Sequence, residues 1–563
     1  MKHSDKERSV WAIALYWWTL AVIIIPNIAL SITDSMPLSG RIANVLLPCG
    51  LWWIALSSSR KIGRTVLFFI ILMIFAAFQI VLLYLYGRSV IAVDMFLNVV
   101  TTNPAEVGEL LGNMAVAILT VIALYLPPIV AAIVACRCKW RLKESFLKRM
   151  ATPAYVCTAA GILFTAGAYF TDKNYKVEND LFPTNVAYNI KLAVERSIKT
   201  AKTDNSGYTF HAVADSADTG RKVIVVVVGE TSRGDRWQLN GYSRPTNAGL
   251  DPTSFISYPR TLSESNTTHK SVPMLLSHIT SETFEDSIYY VKSFISAFKE
   301  AGFRTAYFSN QKYNRSFIDR FGFEADTTLF IKEQGGNGSN PNDLELIPLL
   351  EKEIAAGNGS QLIVLHTYGS HFSYKDRYEG MEPVFLPDGP LQAERSRKKE
   401  LDNAYDNSIC LTSKLLAGIA EVINKQGISG AVIYTSDHGE DIFDDYRNLF
   451  LHASPVPSTY QIHVPLILWF SEAFAESYPA KVKNALANRN SDVSSSRSFS
   501  HTALDLAGIT TAVSDTTLSL VRAGYKEPAR LYLNDHNESV DLRRAGMREI
   551  DFVMLDSLKI MSN

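Results

Sequence analysis

The sequence predicts an α-helical membrane region with five transmembrane helices, followed by an extracytoplasmic α/β domain with a mostly parallel central sheet. Nearly all long apolar runs precede residue 173, strand-like and helix-like stretches alternate from residue 221 onward, and basic residues cluster beside alternate apolar runs. Whole-chain averages hide this division, because a mean hydropathy of +0.04 suits an ordinary soluble protein. The net charge of −1 disfavours a dedicated nucleic-acid binder.

Five apolar runs form the predicted membrane region. A spanning helix needs about 20 apolar residues to cross roughly 30 Å of hydrocarbon. Three of the runs meet this length easily, and the second and fifth are marginal. Buried helices of a soluble bundle are the alternative interpretation. The runs are Trp11–Ile32, Ile42–Leu56 with its Trp52-Trp53 pair, Val66–Tyr86, Met114–Ala135 and Pro153–Phe170.

The residues that flank the runs predict their orientation. Basic residues precede the first run, follow the second and separate the fourth from the fifth, whereas the loops around Asp34 and from Asp94 to Glu109 are poor in them. This alternation fits the positive-inside rule with the N-terminus in the cytoplasm. Five crossings then place the chain after about residue 173 outside the cell membrane. The first run is too long for a cleavable signal peptide and lacks a small-residue cleavage site. The basic residues are Lys2, Lys6, Arg8, Arg60, Lys61, Arg64, Arg137, Lys139, Arg141, Lys143, Lys148 and Arg149.

We expect three regions along the chain. Residues 1–172 form the transmembrane domain, with a loop helix at about 90–112. Residues 173–220 form a connector with an amphipathic helix over Asn185–Ile198, which lies either on the membrane surface or on the protein surface. Residues 221–563 form the exported domain.

Cysteine usage separates the regions further. Only Cys410 lies in the exported part, so no disulfide is expected within it. The Cys136-Arg-Cys138 spacing is interpreted as packing, with metal binding or palmitoylation as the alternatives. The remaining four cysteines are Cys49, Cys136, Cys138 and Cys157.

Strands and helices alternate in the exported part, and its strands are almost wholly apolar. This pattern is typical of a parallel sheet covered by helices on both faces. The predicted strands are Lys222–Val228, Arg304–Phe308, Gln361–Leu365, Ala431–Tyr434 and Val464–Trp469. The predicted helices include Val291–Ala301, Asp343–Ala356 and Leu401–Lys425, with loops at 334–342 and 387–400.

Polar residues follow three of these strands. Glu230 comes after the first strand, His366 and His371 after the third, and Asp437 with His438 after the fourth. Each alone has a structural explanation, but ligand sites in such sheets lie beyond the carboxyl ends of the strands. Imidazole together with carboxylate suits zinc better than magnesium, with manganese as the alternative.

A hydroxyl-rich segment, Ser263–Pro273, precedes a predicted helix. Helix N-capping is its ordinary interpretation. Beside a metal site a hydroxyl loses its proton more readily, and a helix N-terminus favours a nearby phosphate. Thr268 is therefore also a candidate nucleophile.

The order and spacing of these blocks resemble the phosphoethanolamine transferases of the alkaline-phosphatase/sulfatase superfamily, which include the lipid A-modifying enzymes behind polymyxin resistance. The resemblance covers essentially the whole chain, including the five-span layout. It is carried by Gly229–Arg233 with Gly241–Arg244, Thr268 with Lys270–Pro273, Leu365-His366 with Gly369–His371, Tyr405–Asn407, Ser436–Glu440, Leu451-His452, and Asn98–Thr102 with Glu106.

The resemblance implies a function and roles for the site residues. It implies an inner-membrane enzyme with its catalytic domain in the periplasm, which moves phosphoethanolamine from phosphatidylethanolamine through a phosphothreonine onto lipopolysaccharide. Lipid A is the first acceptor and a core sugar the next, and we expect a monomer. Glu230, Thr268, Asp437 and His438 would bind one zinc, with a second metal in question. Thr268 would be the nucleophile, His371 and His452 would steady phosphate or shuttle protons, and the remaining substrate contacts would be Asn98, Thr102, Glu106, His366 and Lys312.

The sequence departs from the best-known lipid A enzymes in its cysteines. Those enzymes carry disulfides around the nucleophile, whereas Glu264 and Met274 stand where one such pair would be. Relatives that act on core sugars or periplasmic glucans also have fewer cysteines, so the acceptor stays open between them.

Three other functions are weighed against this one. A phosphoglycerol transferase of the lipoteichoic-acid-synthase type shares the five spans and the threonine nucleophile. A sulfatase is disfavoured because the Cys/Ser-x-Pro-x-Arg signature is absent. A non-catalytic sensor or scaffold is disfavoured because Glu230, Thr268, Asp437 and His438 are all present.

Overall fold

The helical and strand elements fall into two units. The structure is a computed structural model that describes residues 5–34, 36–87, 90–101, 115–173, 175–216, 220–334, 340–390 and 393–560. One unit takes in the described residues up to Arg196 except Thr101, together with Asp445–Leu449. The other takes in the described residues from Ser197 onward apart from that short segment, with Thr101.

The first unit is helical. Asn185 and Asn189, both buried, donate to the carbonyl oxygen of Ile91 at 3.3 and 2.7 Å, which gives the predicted amphipathic helix a polar contact inside this unit. Its helices are α1 (Asp5–Thr33), α2 (Leu38–Ser57), α3 (Ile62–Phe68), α4 (Ile70–Tyr86), α5 (Val93–Thr101), α6 (Ala115–Arg137), α7 (Glu144–Thr171), α8 (Val177–Asp180) and α9 (Thr184–Ala201), the last of which continues into the second unit.

Three helices of the described chain are long and apolar enough to cross a membrane, Glu7–Thr33, Val116–Arg137 and Glu144–Thr171. The bent pair α3 and α4, with 59° between them, adds a fourth if it is one span. The second predicted run, Ile42–Leu56, lies in α2. Because Arg41 and Asn44 lie on that helix, it does not reach the same apolarity. The structure thus gives a helical membrane region with three or four such spans where five were predicted.

The second unit is built around a mixed seven-stranded sheet of order β3-β11-β8-β2-β7-β5-β6. The five strands from β8 to β6 are parallel, whereas β11 is antiparallel to both of its neighbours. The seven strands are β2 (Lys222–Gly229), β3 (Phe255–Ser257), β5 (Arg304–Ser309), β6 (Thr327–Phe330), β7 (Gln361–His366), β8 (Ser429–Ser436) and β11 (Leu466–Phe470).

All five predicted strands are confirmed within about two residues, and β3 and β6 were not predicted. The predicted helices are confirmed as α12, α15 and α16, and the predicted loop at 387–400 is shortened because α16 begins at Lys398. The helices of this unit are α10 (Thr268–Leu276), α11 (Phe284–Ser287), α12 (Phe294–Glu300), α13 (Phe317–Gly322), α14 (Ile331–Gln334), α15 (Leu346–Ala356), α16 (Lys398–Lys425), α17 (Thr459–Ile462), α18 (Glu472–Ser477), α19 (Pro479–Ala487), α20 (Ser495–Ala507) and α21 (Glu549–Ser557). Its short outer strands are β1 (Val213–Ala214), β4 (Thr261–Leu262), β9 (Asp441–Ile442), β10 (Phe450–Leu451), β12 (Val493–Ser494), β13 (Ile509–Thr510), β14 (Leu531–Leu533) and β15 (Ser539–Asp541).

The register of the sheet fixes where the polar strand ends meet. Strand β2 is buried along its whole length, as expected for a central strand with helices on both faces. Its last residues pair with His366 on β7 and Ser436 on β8. The residues that follow all three strands therefore emerge side by side at one edge of the sheet.

Candidate active site

Three side chains meet at this edge in a group that could hold a metal ion. One ligand atom each from Glu230, Asp437 and His438 lies within 4.8 Å of the others, and all three residues are buried. The His438 Nε2 atom is 3.3 Å from Asp437 Oδ2 and 3.5 Å from Glu230 Oε1. Two oxygen ligands and one nitrogen ligand in so small a volume match the donor set that transition metals such as zinc accept.

Thr268 completes this group. It is the first residue of α10, and its Oγ1 atom lies 3.0 Å from His438 Nε2 and 3.2 Å from Glu230 Oε1. The residue at the N-cap of this helix, Thr267, makes no side-chain capping hydrogen bond. The Thr268 hydroxyl is therefore directed at the carboxylate and the imidazole, and capping does not account for the segment.

Burial changes the proton affinity of the group. It raises the pKa of Asp437, although the amides of Thr231 and His438 donate to that carboxylate and oppose the change. Burial also lowers the pKa of His438 well below its ordinary value. An uncharged imidazole leaves two buried carboxylates with little compensation, and a divalent cation among them would supply it.

Three histidines of the site, His371, His438 and His452, each donate a hydrogen bond through the same ring nitrogen, Nδ1. The Nδ1 atom of His438 donates to the carbonyl oxygen of Gly439 at 2.9 Å, and that of His371 donates to the carbonyl oxygen of Phe372 at 2.7 Å. The Nδ1 atom of His452 donates to the Glu440 carboxylate at 3.3 Å. Burial lowers the pKa of His371 and of His438, so in these two rings Nδ1 carries the proton and Nε2 the lone pair. The centroid of the His452 ring lies 4.2 Å from that of the His438 ring and 5.9 Å from that of the His371 ring. The three rings therefore form a row with His452 in the middle.

The backbone beside Glu230 is strained. Thr231 has φ +58°, a left-handed conformation that costs a β-branched residue about 1–2 kcal/mol. Its amide donates to Asp437 Oδ1 at 3.1 Å, and its carbonyl oxygen accepts from the Tyr405 hydroxyl at 2.7 Å. Gly369 packs against the same turn, where a Cβ atom would meet the Glu230 carbonyl oxygen at 2.4 Å. The turn is thereby held from β8, α16 and the loop after β7.

A buried ion network holds the next residues of the chain. The Arg233 side chain, 1% exposed, pairs with Asp235 at 2.7 Å and Asp444 at 2.8 Å. Burial opposes ionisation of Asp444, but Arg233 holds the pKa of that carboxyl well below its usual range. Arg244 pairs in turn with Asp406 on α16 at 2.6 Å. The motif residues around Arg233, Arg244 and Asp406 thus have a structural use in fixing the turn after β2.

The structure does not bring every predicted site residue into this cluster. His366 is buried, and its Nδ1 atom lies 2.9 Å from the Tyr307 hydroxyl on β5. Lys312 is exposed to solvent. Asn98 lies in α5, whereas Thr102 and Glu106 lie outside the described residues.

Sequence reasoning missed Glu440 and Gln311. Glu440 is fully buried and accepts from His452, and the Gln311 Nε2 atom donates to the carbonyl oxygen of Thr367 at 2.8 Å and lies 3.5 Å from Glu230 Oε2. The position of Glu440 two residues after His438, in the motif block Ser436–Glu440, was an available signal. No sequence signal pointed to Gln311, because the loop after β5 that carries it is brought to the site only by the pairing of β5 with β7.

Comparison with known proteins identifies the class. A family model described as Sulfatase matches residues 222–509, just over half of the chain. The chain therefore belongs to the sulfatase family, in agreement with its α/β domain and mixed central sheet.

Named relatives narrow the assignment within this class. The chain is 26% identical over 417 residues to phosphoethanolamine transferase EptA of Escherichia coli strain K12, which covers 70% of this chain and 73% of that protein. It is 24% identical over 339 residues to phosphoethanolamine transferase EptC of the same strain, over 58% of this chain and 57% of that protein. These relatives confirm the predicted membership of the phosphoethanolamine transferases within the alkaline-phosphatase/sulfatase superfamily, and with it an enzyme of that class.

Two solved structures agree in fold. The integral membrane lipooligosaccharide phosphoethanolamine transferase A (EptA) from Neisseria meningitidis superposes with a TM-score of 0.71 at 20% identity, over 92% of this chain and 99% of that one. The C-terminal periplasmic domain of EcEptC from Escherichia coli, in complex with Zn, gives a TM-score of 0.53 at 22% identity, over 59% of this chain and 95% of that one. The match to the first extends over both the helical region and the α/β domain.

Proposed function

We propose that the protein transfers phosphoethanolamine from phosphatidylethanolamine to lipopolysaccharide through a covalent intermediate on Thr268, with lipid A as the first acceptor and a core sugar as the second. The observation that carries this proposal is the Thr268 Oγ1 atom, 3.0 Å from His438 Nε2 and 3.2 Å from Glu230 Oε1. A hydroxyl so placed can lose its proton and attack phosphorus. The names of the relatives support the transferred group.

The first step forms the covalent intermediate. Thr268 Oγ1 attacks the phosphorus of phosphatidylethanolamine, the bond from phosphorus to the diacylglycerol oxygen breaks, and that oxygen takes up a proton as diacylglycerol leaves. The intermediate is a phosphodiester that joins Thr268 to ethanolamine. His371 and His452 are the proposed proton carriers, because their rings lie in the row that begins at His438 beside Thr268.

The second step returns the enzyme to its starting state. An oxygen of the acceptor attacks the same phosphorus, the bond to Thr268 Oγ1 breaks, and Thr268 regains a proton. Two displacements through a covalent intermediate replace one difficult transfer.

The residues present fit one zinc ion. We propose that Glu230, Thr268, Asp437 and His438 hold it, and the Zn complex of the EptC domain supports this choice of metal. When bound, the ion supplies Lewis acidity and lowers the pKa of the threonine hydroxyl. The Nδ1–H of His438 donates to the carbonyl oxygen of Gly439, which orients Nε2 toward Thr268 and Glu230, the residues that would hold the ion with it. A second metal beside His371 and His452 is the alternative to a single ion.

We propose that the protein is a monomer of the bacterial inner membrane with its catalytic domain in the periplasm, with the regions bounded at 1–172, 173–220 and 221–563. An odd number of crossings is needed for this arrangement, and α2 is the proposed fifth span. A Cβ atom on Gly50 would meet Thr158 at 2.4 Å, and one on Gly161 would meet Leu47 at 2.5 Å. Such close packing through small residues is typical of membrane helices, and it supports a course for α2 beside α7.

The donor headgroup is proposed to contact the segment that contains Asn98, Thr102 and Glu106, since Glu106 offers a charge for the ethanolamine ammonium. His366 and Lys312 stay proposals as further substrate contacts. The acceptor is proposed from the family alone, with periplasmic glucan as the alternative.

Mass spectrometry of the full-length protein tests the central step. We expect phosphoethanolamine on Thr268 after incubation with phosphatidylethanolamine, and no adduct and at least a 1,000-fold loss of transfer in Thr268→Ala. Thr267→Ala is the matched control, because it removes a neighbouring hydroxyl that does not contact Glu230 or His438. Full transfer by Thr268→Ala would overturn the mechanism. A glycerol phosphate adduct would instead support the phosphoglycerol transferase.

Metal content tests the ligand assignment separately. Glu230→Gln removes one anionic ligand and is expected to lower bound zinc by about 10- to 100-fold in affinity. Elemental analysis after dialysis measures this. Undiminished zinc in Glu230→Gln would show that the ion is held elsewhere.

A further inference from the structure

Thr231 contacts both carboxylates of the group formed by Glu230, Asp437 and His438, which we call the metal group. Its hydroxyl donates to Glu230 Oε1 at 2.7 Å, and its amide donates to Asp437 Oδ1 at 3.1 Å. Thr231 is 0% exposed, so it does not touch a substrate. Any part that Thr231 takes in the reaction therefore passes through these two carboxylates.

The left-handed backbone of Thr231 explains how its hydroxyl reaches Glu230. Neighbouring side chains of an extended strand point to opposite faces, so a straight continuation of β2 would direct residue 231 away from Glu230. The turn at φ +58° instead brings the hydroxyl onto the carboxylate of the preceding residue. Glycine would adopt this conformation without steric cost but would bring no hydroxyl. A strained backbone beside a functional group thus points to a use for the Thr231 side chain.

The main chain of Glu230 is held by the loop after β7. The Ser370 amide donates to the Glu230 carbonyl oxygen at 2.9 Å, and Gly369 packs against the same peptide. These contacts fix the backbone but not the rotation of the carboxylate about its side-chain bonds. Two donors approach the carboxylate oxygens, the Thr231 hydroxyl at 2.7 Å from Oε1 and the Gln311 Nε2 atom at 3.5 Å from Oε2. The threonine hydroxyl is the closer donor and forms the stronger hydrogen bond.

The oxygen that accepts from Thr231 is the one that faces the nucleophile. Glu230 Oε1 lies 3.2 Å from Thr268 Oγ1 and 3.5 Å from His438 Nε2. A carboxylate ligand that can rotate must be ordered when the metal binds, whereas one held by a hydrogen bond is already oriented. The Thr231 hydroxyl therefore holds the atom on which both the metal group and the nucleophile depend.

We propose that Thr231 is a positioning residue, whose hydroxyl orients the Glu230 carboxylate for metal binding. The proposal rests on the zinc assignment made above for Glu230, Thr268, Asp437 and His438. The hydrogen bond is the acting feature, so a side chain of the same branched shape without a hydroxyl does not replace threonine. The amide contact with Asp437 belongs to the backbone and is present in every variant at this position.

Zinc affinity of the full-length protein tests the role of the hydroxyl. It is measured with zinc alone in competition with a chelating dye, and adduct formation on Thr268 is followed in parallel. Thr231→Val keeps the branched shape and is expected to lower zinc affinity about 10-fold, with a similar loss in the rate of adduct formation. Thr231→Ser keeps the hydroxyl and is expected to stay within about 3-fold of the wild-type affinity.

Two further variants separate the hydroxyl from backbone strain and from packing. Thr231→Gly relieves the strain but removes the hydroxyl, and it is expected to lose zinc affinity as Thr231→Val does. Thr412→Val is the matched control, because Thr412 is also buried and its hydroxyl donates to the Ser408 carbonyl oxygen at 3.3 Å on α16. It removes a buried hydroxyl outside the metal group and is expected to leave zinc affinity unaltered.

A double-mutant cycle with Glu230→Ala tests whether Thr231 acts through Glu230. In that background Thr231→Val is expected to change zinc affinity by less than about 2-fold. An equal loss in both backgrounds, wild-type affinity in Thr231→Val or Thr231→Gly, or no recovery in Thr231→Ser would each overturn the proposal, as would an equal loss in Thr412→Val. Undiminished zinc in Glu230→Ala would instead overturn the zinc assignment itself, so the two failures are distinguishable.

Discussion

At the scale of single residues, Glu440 sets the orientation of His452. Its side chain is fully buried, and its Oε2 atom accepts from His452 Nδ1 at 3.3 Å. Leu451 and Ala453, on either side of His452, have φ values of +67° and +62°, so the backbone there is also constrained. A carboxylate that accepts from the far nitrogen of an imidazole fixes the tautomer and the ring orientation.

A double-mutant cycle measures this dependence. Glu440→Ala is expected to lower the rate of transfer by about 10- to 100-fold in the wild-type background and to have little further effect in a His452→Ala background. Glu440→Gln, which keeps an acceptor oxygen, is expected to recover part of the loss. Glu353→Ala is a suitable control, because Glu353 is also buried and pairs with Arg304 on β5. Additive losses in the double mutant would show that Glu440 acts independently of His452.

The residues that meet at the metal group could be predicted from the sequence. Glu230, Asp437 and His438 follow directly after apolar strands, and parallel strands bring their carboxyl ends to one edge. Thr268 needed the family resemblance, since a hydroxyl before a helix is ordinarily a cap. Glu440 and Gln311 could not be predicted, because their contacts depend on how loops cross above the sheet.

At the scale of elements, helix α12 begins against a buried carboxylate. Glu324 Oε2 accepts from the Ser293 amide, the Ser293 hydroxyl and the Ser296 hydroxyl at 2.9, 2.6 and 2.8 Å. Burial raises the pKa of Glu324 to about 7, although these hydrogen bonds oppose the change. The Glu324 carboxyl of the folded protein therefore keeps its proton at pH values at which the same carboxyl of the unfolded chain has already lost it.

This proton makes stability depend on pH. A carboxyl whose pKa is raised on folding stabilises the fold when protonated, and that contribution is lost as pH rises from the unfolded value near 4.5 to about 7. The loss amounts to about 3 kcal/mol. Glu324→Gln is expected to reduce the fall in thermal unfolding midpoint between pH 5 and pH 8. The exposed Glu351→Gln is the control, and an equal effect of the two substitutions would contradict the assignment.

Sequence patterns predicted which segments form strands better than they predicted the directions of those strands. Runs of β-branched residues mark β2, β7 and β8, because a strand buried on both faces must be apolar throughout. An apolar run also marks β11, which is antiparallel because it begins at the edge of the sheet where its neighbour β8 ends. Strands β3 and β6 were missed since three or four residues with few apolar side chains carry little periodicity.

At the scale of the whole molecule, Glu264 forms an ion pair at a position where the best-known lipid A enzymes are expected to have a disulfide. Glu264 is buried, accepts from Arg497 at 2.5 Å and accepts from the Ser281 amide at 3.0 Å. Met274 is wholly buried in the core. All five cysteines are free thiols, so packing, hydrogen bonds and ion pairs hold the nucleophile segment.

Two measurements test the replacement of a disulfide by the ion pair of Glu264. Reductant is expected to shift the thermal unfolding midpoint by less than about 2 °C, because no disulfide is lost. Glu264→Ala is expected to destabilise the protein by about 3–5 kcal/mol, since it leaves the Arg497 charge without its closest partner. A large effect of reductant would indicate a disulfide that forms in the cell. Glu282→Ala, which removes the more exposed partner of Arg497, provides the comparison.

The number of membrane spans shows the limit of hydropathy. Sequence runs predicted five, whereas three helices or four with the bent pair reach the required apolarity in the described chain. Helix α2 is the difference. Its polar residues lower its hydropathy, while its glycine contacts with α7 can be seen only in three dimensions.

The setting of Thr268 has a kinetic and stereochemical consequence. Residues 261–267 are buried, and Thr268 at their end is the first partly exposed side chain, so phosphorus bonded to it is approached from the outer side alone. Each in-line displacement inverts phosphorus, and under the proposed mechanism the acceptor oxygen enters where the diacylglycerol oxygen has left. The two substrates then exclude one another. The enzyme is expected to show ping-pong kinetics with parallel double-reciprocal plots, and a chirally labelled donor phosphate should keep its configuration overall.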